Sequence, residues 1–290
     1  MLGKHYGIPF CSKKSTLFND TALAVQLPYQ NENDVIASCT LSTAQSSGWV
    51  WDIGLQSRRG IGYTYSSSHT TDHLAESELR KYIQQSHVLS DDLAIRKLTF
   101  NPGYYEKFWH KNCVAVGMSA GFIEPLEASA LAMIEQAATM ISERLPATKQ
   151  AIPIVAKRFN QKLTQHWQQI IEFLKLHYVL STRDDSNYWL DNRAAQSIPE
   201  SLQEMMELWQ FHSPSHYDIP QSRPLFPAAS YQYVLYGMNF KPAKDSRRKS
   251  SVLRDDLLTD VQRKRHQLSA VLQSNRDVIN KINQYGLAEI

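Results

Sequence analysis

The sequence predicts an α+β fold, an antiparallel sheet followed by a helical region. Three observations predict it. Short runs of β-branched and aromatic residues fill the first hundred positions, the apolar period lengthens to a helical one from about residue 124, and a basic stretch with its own helical period closes the chain. Three segments follow: a mainly β region at 1–118, a mainly helical region at 119–240, and a basic amphipathic helical tail at 241–290.

Four runs read as strands: Thr21-Ala-Leu-Ala-Val-Gln-Leu27, Val35-Ile-Ala-Ser-Cys-Thr-Leu41, Gly48-Trp-Val-Trp-Asp-Ile-Gly54 and Ile61-Gly-Tyr-Thr-Tyr65. Gln56 to Gly60 supplies the turn between the last two. Period-two alternation puts Trp49, Trp51 and Ile53 on one face of the third strand and Val50 and Asp52 on the other. Asp72 then stands as an N-cap for a short helix carrying Leu74, Leu79, Tyr82 and Ile83. Lys97 to Phe100 and Cys113 to Val116 read as further strands, with a turn at Asn101-Pro-Gly103.

From Glu124 to Leu145 the pattern is helical, with Pro125 suited to a first turn and Pro146 ending it. A longer helix runs from Ile154 to about Val179, with Phe159, Leu163, Trp167, Ile170, Leu174 and Tyr178 on one apolar face. Beyond the polar link Ser181 to Asn187 come a helix around Leu202 to Phe211, a Pro-rich loop over His212 to Pro227, and an aromatic element at Tyr231 to Met238. In the tail, Leu257, Val261, Leu268, Leu272 and Ile279 recur at steps of four and seven and predict one buried stripe.

Composition excludes several classes. A hydrophobic fraction of 42% suits a globular core. No apolar run approaches the roughly 20 residues of a membrane span, and Met1 to Pro9 lacks the apolar stretch of a signal peptide, so a cytoplasmic location is expected. Cys11, Cys39 and Cys113 are odd in number and without C-x-x-C spacing, which argues against a disulfide framework or a zinc site. The net charge of +3 comes from the tail, with 11 basic and 6 acidic residues from Lys241 onward. Its clusters Arg247-Arg-Lys249 and Arg263-Lys-Arg265 read as the solvated faces of helices rather than as a nucleic-acid contact.

Gly117-Met-Ser119-Ala-Gly121 fits the G-x-S-x-G pattern of a hydrolase nucleophile elbow, with Asp184 or Asp185 and His212 or His216 as partners. Phe122 to Pro125, however, separates Ser119 from the helix that an elbow needs directly after it. His69 and His73, like His212 and His216, have the i, i+4 spacing of metal ligands but no third ligand. The junction Val114 to Leu131 carries more chemistry. Small residues after a buried strand let a flat ligand approach the backbone, and a helix start offers N–H groups and a positive dipole end to an anion. Glu124 and Glu127 also suit a helix start as dipole-stabilising carboxylates.

Gly117 to Glu127, with its Phe-x-Glu-Pro-Leu-Glu segment, and Trp49-Val-Trp-Asp-Ile53 together resemble the flavin-dependent tryptophan halogenases, and weaker likeness covers most of the chain before Lys241. The resemblance implies the substrate-side part of a flavin monooxygenase-like halogenase, in which reduced FAD, oxygen and chloride or bromide yield hypohalous acid that travels to a tryptophan or other indole-like ring. By position it implies Glu127 as the catalytic carboxylate and Gly117, Met118 and Leu131 as flavin contacts. Ser129 and Ala130 match the halide site through their backbones. Trp49, Trp51 and Ile53 match the wall between flavin and substrate, and Phe226 an aromatic substrate clamp. The implied partners are a small aromatic substrate and a separate flavin reductase, with a homodimer left open.

The chain departs from the family pattern at Glu127-Ala-Ser-Ala130, where the family reads Glu-Ser-Thr-Gly, and at Ile53-Gly54, where it reads Ile-Pro. No G-x-G-x-x-G follows a strand anywhere, so the nucleotide-binding half is expected to be missing. The chain then reads as a truncated gene or fragment, and the alternative function is a non-catalytic halogenase remnant, with a serine hydrolase using Ser119 behind it.

Overall fold

The computed structural model describes residues 2–86, 93–219, 223–243 and 255–287. Helix α1 (Leu2–Tyr6) is followed by strands β1 (Phe10–Ser12), β2 (Thr21–Pro28), β3 (Leu41–Gln45), β4 (Gly48–Gly54) and β5 (Arg58–Tyr65). Helix α2 (Asp72–Gln84) precedes β6 (Arg96–Thr99), β7 (Gly103–Tyr105), β8 (Trp109–His110), β9 (Cys113–Val114) and β10 (Gly121–Phe122). The remainder is helical: α3 (Ala130–Glu143), α4 (Ile152–Val179), α5 (Asn187–Arg193), α6 (Glu200–Leu208), α7 (Ala228–Gly237), α8 (Asp255–Val271) and α9 (Asn275–Tyr285). All strand pairs are antiparallel, in a five-stranded sheet β3-β4-β5-β2-β6, a three-stranded sheet β1-β7-β10 and the pair β8-β9.

The large sheet buries both faces. On one, Leu23, Val25, Val50, Ile61 and Tyr63 pack with Ala75, Leu79 and Ile83 of α2. On the other, Trp49 joins the main core, which continues through Tyr104 and Trp109 into the inner face of α4 and on to Trp209 and Leu235. Helix α4 is the axis of that core. Phe159, Leu163, Ile170, Phe173 and Leu174 are each at most 2% exposed along its 28 residues.

Some boundaries differ from the expected ones. The second strand is Leu41–Gln45 rather than Val35 to Leu41. Gln45 pairs with Gly48 across the two-residue turn Ser46-Ser47, which fixes the register, and Val35 is left 81% exposed. The Thr71 side chain accepts from Leu74 N, so Thr71 and not Asp72 caps α2. Helix α5 begins at the end of the expected polar link. In the tail, Val261, Leu268 and Leu272 are 63%, 55% and 71% exposed, Ile279 is half-buried, and the Leu257 side chain lies outside the described residues. A helical apolar period reveals a face without saying what covers it, so the single buried stripe is corrected to two helices with largely exposed faces. Arg276 ties α9 to the sheet loops, donating to the carbonyls of Asp34 (3.0 Å) and Gln56 (2.7 Å) and lying over the Tyr29 ring. Arg263 and Lys264 both pair with Asp260 on the surface of α8, and Arg247-Arg-Lys249 lies outside the described residues.

On α4, His166 is fully buried and neither ring nitrogen has a partner. Burial, helped by Lys162, pushes its imidazolium down to about 4. Since that value lies below the ordinary 6.5, the unfolded chain binds the proton first. The stability contributed by the neutral ring is present above pH 6.5 and is lost as pH falls toward 4. Urea midpoints at pH 7 and pH 4 should therefore converge in His166→Leu relative to wild type. An equal acid loss in both proteins would assign the acid sensitivity to other groups.

Candidate functional site

The segment between β10 and α3 is bent rather than helical. Leu126 to Ala128 form one 3-10 turn, Glu127 and Ala128 take φ of 64° and 48°, and α3 begins only at Ala130 with Ser129 as its N-cap. Left-handed backbone at two consecutive non-glycine residues costs about 1–3 kcal/mol each and persists only where surrounding contacts over-determine it. It corrects the expectation of a helix from Glu124. The bend breaks the helical path and leaves Glu127 beside His177 of α4.

Two consecutive residues at the end of α4 hold the two glutamates. His177 Nε2 lies 3.0 Å from Glu127 Oε1, while its Nδ1 donates to the Phe173 carbonyl at 2.8 Å. A carbonyl only accepts, so Nδ1 carries a hydrogen. Tyr178 donates to Glu124 Oε2 at 2.5 Å. Burial is the main cause that pushes the Glu124 carboxyl up, opposed by hydrogen bonds from Tyr178, Trp49 and Asn19, and burial together with the Glu124 charge holds the Tyr178 hydroxyl well above its ordinary value.

The bent segment forms one wall of a cavity of about 610 Å³. Trp49, Trp51 and Ile53 of β4 and Leu163, Trp167 and Ile170 of α4 also line it. The two indoles meet edge to face with centroids 6.2 Å apart. Gly117, Met118, Glu127, Ser129, Ala130 and Leu131 also line the space. Gly117 has φ +63°, and Met118 and Leu131 are 79% and 77% exposed, an apolar ledge at the mouth.

Phe226 is not brought to this cavity. It is 8% exposed and stacks at 4.0 Å between centroids on Phe173, whose ring lies edge-on to His177. Its seat is the aromatic column that backs His177. Ser119 does not form an elbow either. Its hydroxyl donates to the Val116 carbonyl, and no imidazole bonds it among the described residues. His69 bonds Ser66 and Asp191, and among the described residues no group of three His, Cys, Asp or Glu side chains could hold a metal.

Sequence reasoning missed three contributors. His177 and Tyr178 read as parts of one apolar helix face, and nothing in their spacing to Glu124 and Glu127 gives the contact away. Gly62 did leave a signal, a glycine inside a strand. A Cβ there would lie 2.0 Å from the Trp51 ring, so the indole lies flat against bare backbone. Gly62→Ala should displace Trp51 and change its fluorescence while β5 still pairs. An unchanged Trp51 signal would mean the ring has slack.

The chain matches the tryptophan halogenase family over residues 1–252. It belongs to that family. Among curated tryptophan halogenases, the tryptophan 6-halogenase SttH of Streptomyces toxytricini is 32% identical over 82% of this chain and 44% of its own. The tryptophan 7-halogenase RebH of Lentzea aerocolonigenes is 27% identical over 72% of this chain and 38% of its own. The chain thus spans about half the length of the curated tryptophan halogenases it matches. Among solved tryptophan halogenases, that of Shewanella frigidimarina superposes with a TM-score of 0.94 at 50% identity, covering 100% of this chain and 55% of its own. Tar14, a tryptophan C-6 flavin-dependent halogenase of taromycin biosynthesis, gives 0.90 at 30% identity over 97% and 56%. Among the described residues no helix is long and apolar enough to cross a membrane.

Proposed function

We propose that this chain is the substrate-side, flavin-closing portion of an FAD-dependent halogenase acting on tryptophan or another indole-like ring. The observation that carries the reading is that Glu127, Trp49 and Trp51 line one apolar cavity with the start of α3 at its mouth. FAD, reduced by a separate flavin reductase, would supply with oxygen and chloride or bromide the electrophilic halogen. The exposed ledge of Met118 and Leu131 beside Gly117 fits a flat ring system, since it is apolar surface open to an apolar ligand.

The other roles follow from the chain's own groups. Ser129 and Ala130, as N-cap and first residue of α3, offer backbone N–H groups and the dipole's positive end to a halide. Alanine and serine in place of the family's residues leave that capacity intact, because it needs no side chain. Trp49, Trp51 and Ile53 wall the cavity with bulk. Glu127 stabilises the positive charge that develops on the ring under attack, and His177 fixes its direction.

The test is incubation with reduced FAD, bromide, oxygen and indole, with halogenated product sought by mass and flavin retention measured on purification. Product with retained flavin is expected. Neither would overturn the enzyme reading in favour of the second one, a non-catalytic halogenase remnant.

A further inference from the structure

Glu124 and Glu127 are interchangeable as letters of one motif, but their surroundings are opposite. Glu124 is 3% exposed, whereas the Glu127 side chain is 37% exposed. On Glu124 a single oxygen, Oε2, accepts from the Trp49 indole Nε1 at 2.9 Å, from the Tyr178 hydroxyl at 2.5 Å and from Asn19 Nδ2 at 2.5 Å, while Oε1 is buried without a partner. Three donors converging on one oxygen draw on the excess charge of a carboxylate, and such bonds are about twice as strong as neutral ones.

The anchor extends inward. Asn19 Oδ1 accepts from the Tyr188 hydroxyl at 2.9 Å, the Tyr188 carbonyl accepts from Asn192 Nδ2 at 3.0 Å, and Asn192 Oδ1 accepts from Lys175 Nζ at 2.9 Å. Lys175 is fully buried over the Phe18 ring. Glu124 and the buried Lys175, whose amine burial pushes down to about 7, are therefore linked through two asparagines and Tyr188. None of these residues except Trp49 and Glu124 reaches the cavity.

We propose that Glu124 is a positioning residue that fastens the Trp49 indole to the bent segment carrying Glu127, so that the tryptophan wall and the cavity carboxylate share one anchor at the end of α4. What the anchor positions is named by the halogenase reading above, while the anchor itself stands on hydrogen bonds and burial. Through it, strand β4 and the bend move together. Trp49 cannot rotate about its ring without leaving Glu124, and Glu124 cannot shift without disturbing the left-handed residues three and four positions on.

The indole N–H signals in a ¹⁵N–¹H spectrum of the intact chain test this directly. The sequence has six tryptophans, and the Trp49 signal is identified by its disappearance in Trp49→Phe. The indoles of Trp109, Trp189 and Trp209 bond Lys111 O, Gln45 O and Asp218 and report whether the fold is intact. Glu124→Gln exchanges a carboxylate for a weaker amide acceptor, so the Trp49 signal should move upfield and lose protection from solvent exchange while the three controls stay. Tyr178→Phe removes a competing donor from the same oxygen, so the Trp49 signal should move downfield. If Glu124→Gln disturbs the controls, Tyr178→Phe decides alone. A Trp49 signal unmoved in a variant whose controls hold overturns the proposal, even for an enzyme that halogenates. Absence of halogenation by the wild type sinks the functional reading and leaves this result standing.

Discussion

Phe173→Ala is expected to lower stability by about 3–5 kcal/mol, the range for removing a fully packed aromatic side chain. The ring is 1% exposed and is the middle of a column, stacked on Phe226 at 4.0 Å and meeting Tyr231 at 4.9 Å and His177 at 5.2 Å edge to face. Its truncation leaves a cavity that the rigid end of α4 is poorly able to close, and aromatic pairing is lost on three sides. Urea unfolding should show a lower midpoint at an unchanged slope. Phe173→Leu, which retains much of the volume, should lose clearly less. A shift below 1 kcal/mol for the alanine variant would mean the column is loose, and His177 would then have no firm backing.

Replacing Glu127 by glutamine should reduce halogenation roughly 10²–10³-fold, the scale for removing one preorganised electrostatic group from a transition state. The amide keeps the shape and can still bond His177 Nε2, so the bend should survive and flavin retention should not change. Glu127→Asp keeps the charge but withdraws it from the imidazole and from the cavity, so its rate should fall between the two. Single-turnover measurement of halogenated indole against flavin consumed separates these outcomes. An unaffected rate in Glu127→Gln would reduce the carboxylate to a partner of His177 with no part in the reaction.

Much of the fold was legible in the sequence, and the failures share a cause. Trp49, Trp51 and Ile53 could be placed on one face because strand alternation is strictly local, and the 28 residues of α4 announced themselves through a long run of period 3.6. The register of β3 was not legible, since Ser46-Ser47 carries no glycine or asparagine to mark the tight turn that sets it. Nor was the start of α3. Glu127 and Ala128 have ordinary or high helix propensity yet are left-handed, in a stretch that His177 bonds at Glu127 and Tyr178 at Glu124. Phe226 could be named only through the resemblance, and the aromatic column that seats it is likewise a long-range relation. The motif residues of the site could be named from their letters, but the anchoring of Glu124, 54 residues from Tyr178 and 75 from Trp49, is a long-range relation that no local pattern encodes.

Helix α4 also limits where the length of this chain can vary. As a rod of 28 residues it is about 42 Å long, and each residue advances the helix by about 100°. Phe159 and Leu163 are locked into the core near one end, His177 and Tyr178 into the two carboxylates at the other. Deleting one residue between them would leave the near end seated and swing the far end by more than a quarter turn, taking both hydrogen bonds away from glutamates that had not themselves been altered. Insertions at residues 144–151, before the rod begins, would only lengthen a connection. The accuracy of the cavity wall is thus set by a count of residues, and a frame slip well away from it would be as damaging as a change within it.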